Sequence, residues 1–205
     1  HHGEGVLTSP DGAIYTGAFV ENLPEGKGKI VYANGDSYDG EWVAGVIEGE
    51  GTARRVNGVV FVGEFRDGER HGQGRMEALD GYVYEGGWDR GVRDGQGRAV
   101  YPDGTVYEGG FRNDAFHGEG TVEMPGQMRY AGTWVDGRME GPGVATYAGG
   151  DVYDGEFVDG RREGQGTLTY ASGEVLSGLW KNGALAEQVQ TPESDNAPAP
   201  AISDP

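Results

Sequence analysis

Glycine returns along this chain every 23 residues, and that interval limits the fold more than any other feature of the sequence. Glycine scattered at random would suggest a linker; glycine at a fixed interval means that one backbone requirement recurs with one repeating unit. Gly-x-Gly begins at Gly3, Gly26, Gly49, Gly72, Gly95, Gly118, Gly141 and Gly164. A third column runs from Gly17 to Gly178, a fourth from Gly12 to Gly173 with Gln127 as its exception, and a fifth from position 22 to Gly183 with Asn22 and Asp114 as substitutes. Of the 41 glycines, only Gly87, Gly110, Gly126 and Gly149 fall outside these columns. Asn and Asp are the non-glycine residues that best tolerate a left-handed backbone, so the fifth column predicts a hairpin turn with positive φ.

Between the glycines the period is two. Tyr153, Gly155 and Phe157 share one side of an extended strand and Asp154, Glu156 and Val158 the other, an alternation that belongs to β-structure. The motif aromatic-x-Gly-x-aromatic recurs at Tyr15/Phe19, Tyr38/Trp42, Phe61/Phe65, Tyr84/Trp88, Tyr107/Phe111, Tyr130/Trp134 and Tyr153/Phe157, and ends with Leu176/Trp180. After a turn near Gly160 the run from Gly164 to Tyr170 alternates again and the next turn falls at Gly173, so each unit reads as one hairpin. Two residues beyond Gly-x-Gly stand Leu7, Ile30, Ala53, Met76, Ala99, Val122, Ala145 and Leu168, apolar in every unit and expected to complete a buried face.

A lone hairpin is marginal in water, so the units must stack edge to edge and take their stability from neighbours. The predicted fold is all-β: an elongated, solenoid-like ribbon of stacked antiparallel hairpins, on the order of 75 Å long at about 4.8 Å per strand. The array is assigned to 1–183, about eight units with the first incomplete and the last degenerate. From 184 to 205 the composition turns to Ala, Pro and acidic residues and is expected to be mostly disordered, with a stretch around Leu185 to Val189 placed to cover the last strand. His2, Gly3, Glu4 and Gly5 occupy the places of His117, Gly118, Glu119 and Gly120, so the chain starts inside a unit and a parent protein is expected to continue upstream.

The unit Tyr-x-Gly-x-Trp/Phe-x-x-Gly-x-x-x-Gly-x-Gly, clearest from Tyr153 to Gly166, resembles the MORN repeat, the membrane occupation and recognition nexus family. The resemblance covers about residues 2–183. It implies short hairpins stacked into a long array that commonly serves as a scaffold or self-associating module and is sometimes attached to an enzyme domain. Lipid binding has been proposed for the family.

The composition narrows the chemistry. With 34 acidic residues against 16 basic the formal charge is -18, which opposes nucleic acid and anionic membranes alike; Arg54/Arg55 and Arg161/Arg162 are the only adjacent basic pairs. Cysteine is absent, which removes disulfides, thiolate metal sites and cysteine nucleophiles and leaves the redox compartment open. With no secretory or membrane-spanning run in the sequence, the cytoplasm is the favoured compartment. The column before Gly-x-Gly holds His2, Glu25, Glu48, His71, Asp94, His117, Glu140 and Glu163, all of metal-ligating type. Equivalent side chains in adjacent hairpins should lie about 9.6 Å apart, too far to share an ion, so the column is read as structural and no metal is expected. Gly-x-Gly lacks the third glycine and following helix of a dinucleotide site, and no serine has a nucleophile-elbow context. No catalytic residue, cofactor or metal is therefore assigned.

What remains is a binding surface. The assigned partner-binding ridge is aromatic: Tyr38, Trp42, Tyr84, Trp88, Tyr107, Phe111, Tyr130, Trp134, Tyr153 and Phe157. The leading expectation is a non-catalytic scaffold or protein-interaction rod, with a protein partner or a second copy bound through an array end. The alternatives are an anionic-lipid-binding module, which the charge disfavours, and the accessory array of a larger enzyme.

Overall fold

The computed structural model describes residues 1–189, and they form one sheet of antiparallel strands. The first eight are β1 (Gly3–Thr8), β2 (Ile14–Val20), β3 (Leu23–Val31), β4 (Ser37–Val43), β5 (Val46–Arg54), β6 (Val60–Arg66), β7 (Glu69–Glu77) and β8 (Val83–Asp89). They continue as β9 (Val92–Val100), β10 (Val106–Arg112), β11 (Ala115–Met124), β12 (Met128–Val135), β13 (Arg138–Tyr147) and β14 (Val152–Val158). The last three are β15 (Arg161–Thr169), β16 (Val175–Lys181) and β17 (Ala184–Gln188). Each strand pairs with the one before it and the one after it, so the sheet is a stack of hairpins in sequence order, as the period-two pattern requires.

Two turn chemistries join the strands. The eight short turns among the described residues have positive φ at both central residues, as at Ala44 (φ 48) and Gly45 (φ 84) or Asp159 (φ 48) and Gly160 (φ 76), the type I′ pattern that matches strand twist. Asn22 (φ 71) and Asp114 (φ 67) adopt it without glycine, as their place in the fifth column predicts. The longer turns close with an i→i+3 bond such as Gly35 N–H to Tyr32 O (2.9 Å), and their glycine is left-handed (Gly35, φ 90). Gln127 breaks this column because the turn changes type: Pro125 precedes Gly126 (φ 70), the type II arrangement, and Gln127 N–H still reaches Met124 O at 3.0 Å.

The first glycine of Gly-x-Gly marks a β-bulge. Register slips between Gly40 and Trp42 where they face Gly51 and Ile47, and Gly49 in the bulge has φ 77. The second glycine has a different reason. Gly28, Gly40, Gly51 and their counterparts face one another strand by strand, so an unbroken row of glycines crosses the sheet from Gly5 to Gly178. The first aromatic of each unit lies over that row: a Cβ on Gly166 would stand 2.5 Å from the Tyr153 ring, and one on Gly155 would stand 2.6 Å from the Gly166 Cα.

The column expected to complete the buried face does so unevenly. Ala99, Val122, Ala145 and Leu168 are buried and Ile30, Ala53 and Met76 half-buried, but Leu7, on the outermost strand, is 46% exposed. The array also outlasts position 183, because β17 pairs with β16 through Trp180↔Leu185 and Val189 N–H bonds Ser177 O at 2.9 Å. Pairing with a neighbour orders Ala184–Gln188 despite their composition. The rest of the predicted tail, 190–205, lies outside the described residues.

Candidate functional site

The aromatic columns form one continuous zipper. Tyr38 contacts Trp42 in its own unit at 5.6 Å and Phe65 in the next at 4.9 Å, both edge to face. The same alternation runs from Phe19 to Trp180, ending with Tyr153 between Phe157 and Trp180, each at 5.2 Å. Edge-to-face pairs set the positive rim of one ring against the negative face of another and add about 0.5–1.5 kcal/mol each beyond the area they bury.

Every polar atom of the zipper is satisfied locally. The Tyr38, Tyr84, Tyr107, Tyr130 and Tyr153 hydroxyls each donate to the carbonyl three residues on, as Tyr84 does to Gly87 O at 2.9 Å. The four tryptophans donate Nε1–H to the second glycine of the preceding Gly-x-Gly, as Trp88 does to Gly74 O at 3.1 Å. Burial pushes the Tyr38, Tyr130 and Tyr153 hydroxyls up to about 12, and those of Tyr84 and Tyr107 higher still.

The ridge assigned to a partner is therefore the core of the sheet. All ten of its rings are at most 6% exposed, and Tyr84, Tyr107, Tyr130 and Tyr153 are fully covered. The structure brings these residues together as predicted but turns their faces to one another and not to solvent. A second column that hydropathy did not single out closes over them: Pro24, Ile47, Arg70, Arg93, Phe116, Met139, Arg162 and Leu185. Phe116 stacks on Tyr107 at 3.7 Å, while Arg70 and Arg162 lie 4.3 and 4.4 Å from the Trp88 and Trp180 rings. Their period of 23 is the signal that would have found them; their mixed chemistry hid it.

The matching family model starts a repeat at the first aromatic of each unit from Tyr15 to Tyr153. It is the MORN repeat, matched at residues 1–14, 15–37, 38–60, 61–81, 84–106, 107–125, 130–152 and 153–175. The chain belongs to the MORN repeat family. No curated protein matches it. Among solved structures it is similar to the SAS-4 (dCPAP) TCP domain of Drosophila melanogaster in complex with a proline-rich motif of Ana2 (dSTIL), at 13% identity over 86% of this chain and 90% of that one, with a TM-score of 0.46. It is also similar to the TCP10c domain of Drosophila melanogaster Sas-4, at 14% identity over 87% and 99% of the two chains, with a TM-score of 0.42.

In this MORN array the His/Asp/Glu column holds turns together. Glu25 accepts from Ala44 N–H (2.8 Å), Glu48 from Asp67 N–H (3.0 Å), Glu140 from Asp159 N–H (3.1 Å) and Glu163 from Asn182 N–H (2.8 Å). Each carboxylate thus caps the first amide of the next type I′ turn, and the second turn amide bonds a carbonyl 21 residues back, as Gly45 N–H does to Pro24 O. Two of the histidines in the column lie beside aspartates, His71 near Asp89 (3.3 Å) and His117 near Asp136 (3.6 Å).

The opposite face of the sheet is open. A groove of about 690 Å³ crosses β9 to β14, walled by Gln96, Glu108, Glu119, Thr121 and Asp154. A neighbouring hollow of about 420 Å³ shares Gln96 and Glu108 and extends it toward Gln73 and Glu85, with Arg98 as the one cation in its wall. This outer face, and not the ring ridge, carries the exposed polar side chains.

Proposed function

We propose that this MORN array is a non-catalytic protein-interaction rod whose partner lies along the polar outer face. One observation carries the reading: the rings that would anchor a partner are consumed by the array itself, while a long groove with acidic walls stays open on the other side. Acidic walls select a partner with basic groups and set its approach by long-range attraction. The titratable groups support no reaction, since the strongly shifted ones are the core tyrosines, which donate to backbone carbonyls and face no open site. Self-association fits the same rod, because β1 is paired on one side only among the described residues.

The test combines two assays. Peptides selected from a random display library should be rich in Lys and Arg and should lose binding when Glu108, Glu119 and Asp154 are all changed to Lys. Selected peptides indifferent to that change would remove the outer face from consideration. In parallel, salt-sensitive co-sedimentation with anionic but not neutral liposomes would make membrane attachment the function instead; the expected result is no sedimentation with either.

A further inference from the structure

Arg70 and Arg93 hold equivalent places in adjacent hairpins, and they differ in one respect. Arg93 has its anion built in: Nε bonds Asp114 Oδ1 at 2.9 Å, and Nη2 bonds the Asp114 carbonyl at 2.7 Å. The position equivalent to Asp114 opposite Arg70 is Gly91, so Arg70 bonds the Gly91 carbonyl (2.6 Å) and Met76 Sδ (3.3 Å) and no carboxylate. Burial works against the charge of both. At Arg93 the Asp114 carboxylate outweighs it and holds the guanidinium above its ordinary value, whereas Arg70 is left below its own. Arg70 is thus a half-buried guanidinium that hydrogen-bonds no carboxylate, with Asp114 acting on it only through space; Arg162, on the Gly183 carbonyl, shares that arrangement.

Beside Arg70 the ring face opens. A pocket of about 250 Å³ lies over Phe61 and Phe65, where Ala53 is small and Arg55 stands in the column that holds Tyr32, Tyr101, Tyr147 and Tyr170. Arg55 stands in its wall with a side chain 66% exposed, already paired to Asp36 at 2.8 Å. Glu69 also lines it and faces Arg66 across the adjoining turn. The cavity thus has an apolar floor, a guanidinium held against a tryptophan face, and no protein anion on that guanidinium.

We infer that this pocket binds the C-terminal residue of a partner peptide, its apolar side chain against Ala53, Phe61 and Phe65 and its carboxylate on Arg70. A bare phosphate would leave the apolar floor unfilled, and an internal Asp or Glu has too little apolar body to cover it. The floor takes one apolar side chain and the guanidinium one carboxylate, the two groups that a chain-terminal apolar residue presents together. The C-terminal carboxylate supplies what Asp114 supplies to Arg93, by the charge-assisted hydrogen bonding for which guanidinium geometry is suited. The site lies on the ring face and is independent of the outer groove.

The experiment uses the full chain and a fluorescein-labelled Gly/Ser heptapeptide ending in Phe, read by anisotropy, with its C-terminally amidated twin. The free acid should bind saturably and the amide about tenfold or more weakly, as loss of a charge-assisted contact requires. Arg70→Met keeps the stem over Trp88 and removes the charge; it should weaken the acid by a similar factor. Ala53→Met, the residue that the next hairpin already carries, should fill the pocket and abolish binding, and unlabelled N-acetyl-phenylalanine should compete where inorganic phosphate does not. Equal affinity for acid and amide, unchanged binding to Ala53→Met, displacement by phosphate, or no binding at millimolar peptide would each overturn the assignment. The Glu108, Glu119 and Asp154 charge reversal should leave this binding intact, so failure here and failure of the outer-face reading are separable.

Discussion

Within the single strand Met128–Val135, Tyr130 and Trp134 are buried in contact with Phe157 and Tyr107, while Arg129 and Val135, which flank them, point to solvent. The two faces share every backbone hydrogen bond, so strand pairing cannot explain why one face is a core and the other a surface. Ring packing between units does. A single sheet has no second layer to cover its apolar side, and here the rings cover one another because the glycine row lets each lie against backbone. Burial on the ring face is therefore a property of the array, and exposure on the outer face is a property of each hairpin.

The largest test of that difference is alkaline pH. The buried tyrosines hold their protons above the ordinary value of 10, to about 12 for Tyr38, Tyr130 and Tyr153. A group whose folded-state pKa is raised gives stability that is complete below the unfolded value and disappears as pH rises through the folded one. Stability should thus be full below pH 10 and fall from there through 12, with tyrosinate absorbance rising late and together with loss of β-sheet dichroism. Tyrosinate forming at the ordinary value with the dichroism intact would mean that the rings are open to solvent.

Next in size is truncation of a ring. Trp134 contacts Tyr107, Phe116 and Tyr130 and donates to Gly120 O, so Trp134→Ala removes several contacts and leaves a carbonyl unpaired, a loss of about 4 kcal/mol. Because coupling runs between neighbours, amide exchange should rise first in β10 to β13 and only later at the ends. Uniform loosening along the chain would contradict nearest-neighbour stability. Gly132→Ala should cost less, about 3 kcal/mol, since its Cβ would stand 2.6 Å from the Tyr130 hydroxyl and 2.7 Å from the Gly143 Cα and the ring has no free side to move toward. Urea midpoints of the two variants and the parent order these effects.

The hairpins, their turns and the ring columns were legible because each repeats a stereochemical demand that few residue types meet: positive φ at Gly45 or Asp114, no Cβ at Gly166, a flat ring at Tyr153. The fate of the rings was not. An alternating strand with aromatics on one side looks the same whether they line a groove or fill a core, and the distance between neighbouring units, which decides it, is absent from hydropathy. The cover over the rings was hidden for another reason: Arg70, Phe116 and Met139 do one job with a guanidinium, a ring and a thioether, so no composition rule joins them. The capping by Glu25 and Glu163 spans 19 residues and depends on how one hairpin meets the next, which spacing within a unit does not reveal.

The smallest expected effect completes the comparison. Glu108 lies on β10 between Val106 and the buried Tyr107 on one side and Gly109 on the other, but its own side chain is exposed in the outer groove and makes no hydrogen bond among the described residues. Glu108→Gln should change stability by less than about 0.5 kcal/mol, the usual range for a surface position away from caps and networks. It sits one residue from Tyr107, whose loss would be felt across three hairpins. A urea midpoint for Glu108→Gln displaced as far as that of Gly132→Ala would show that the outer face also holds the array together, and that the open groove is part of the folding unit and not a surface left for a partner.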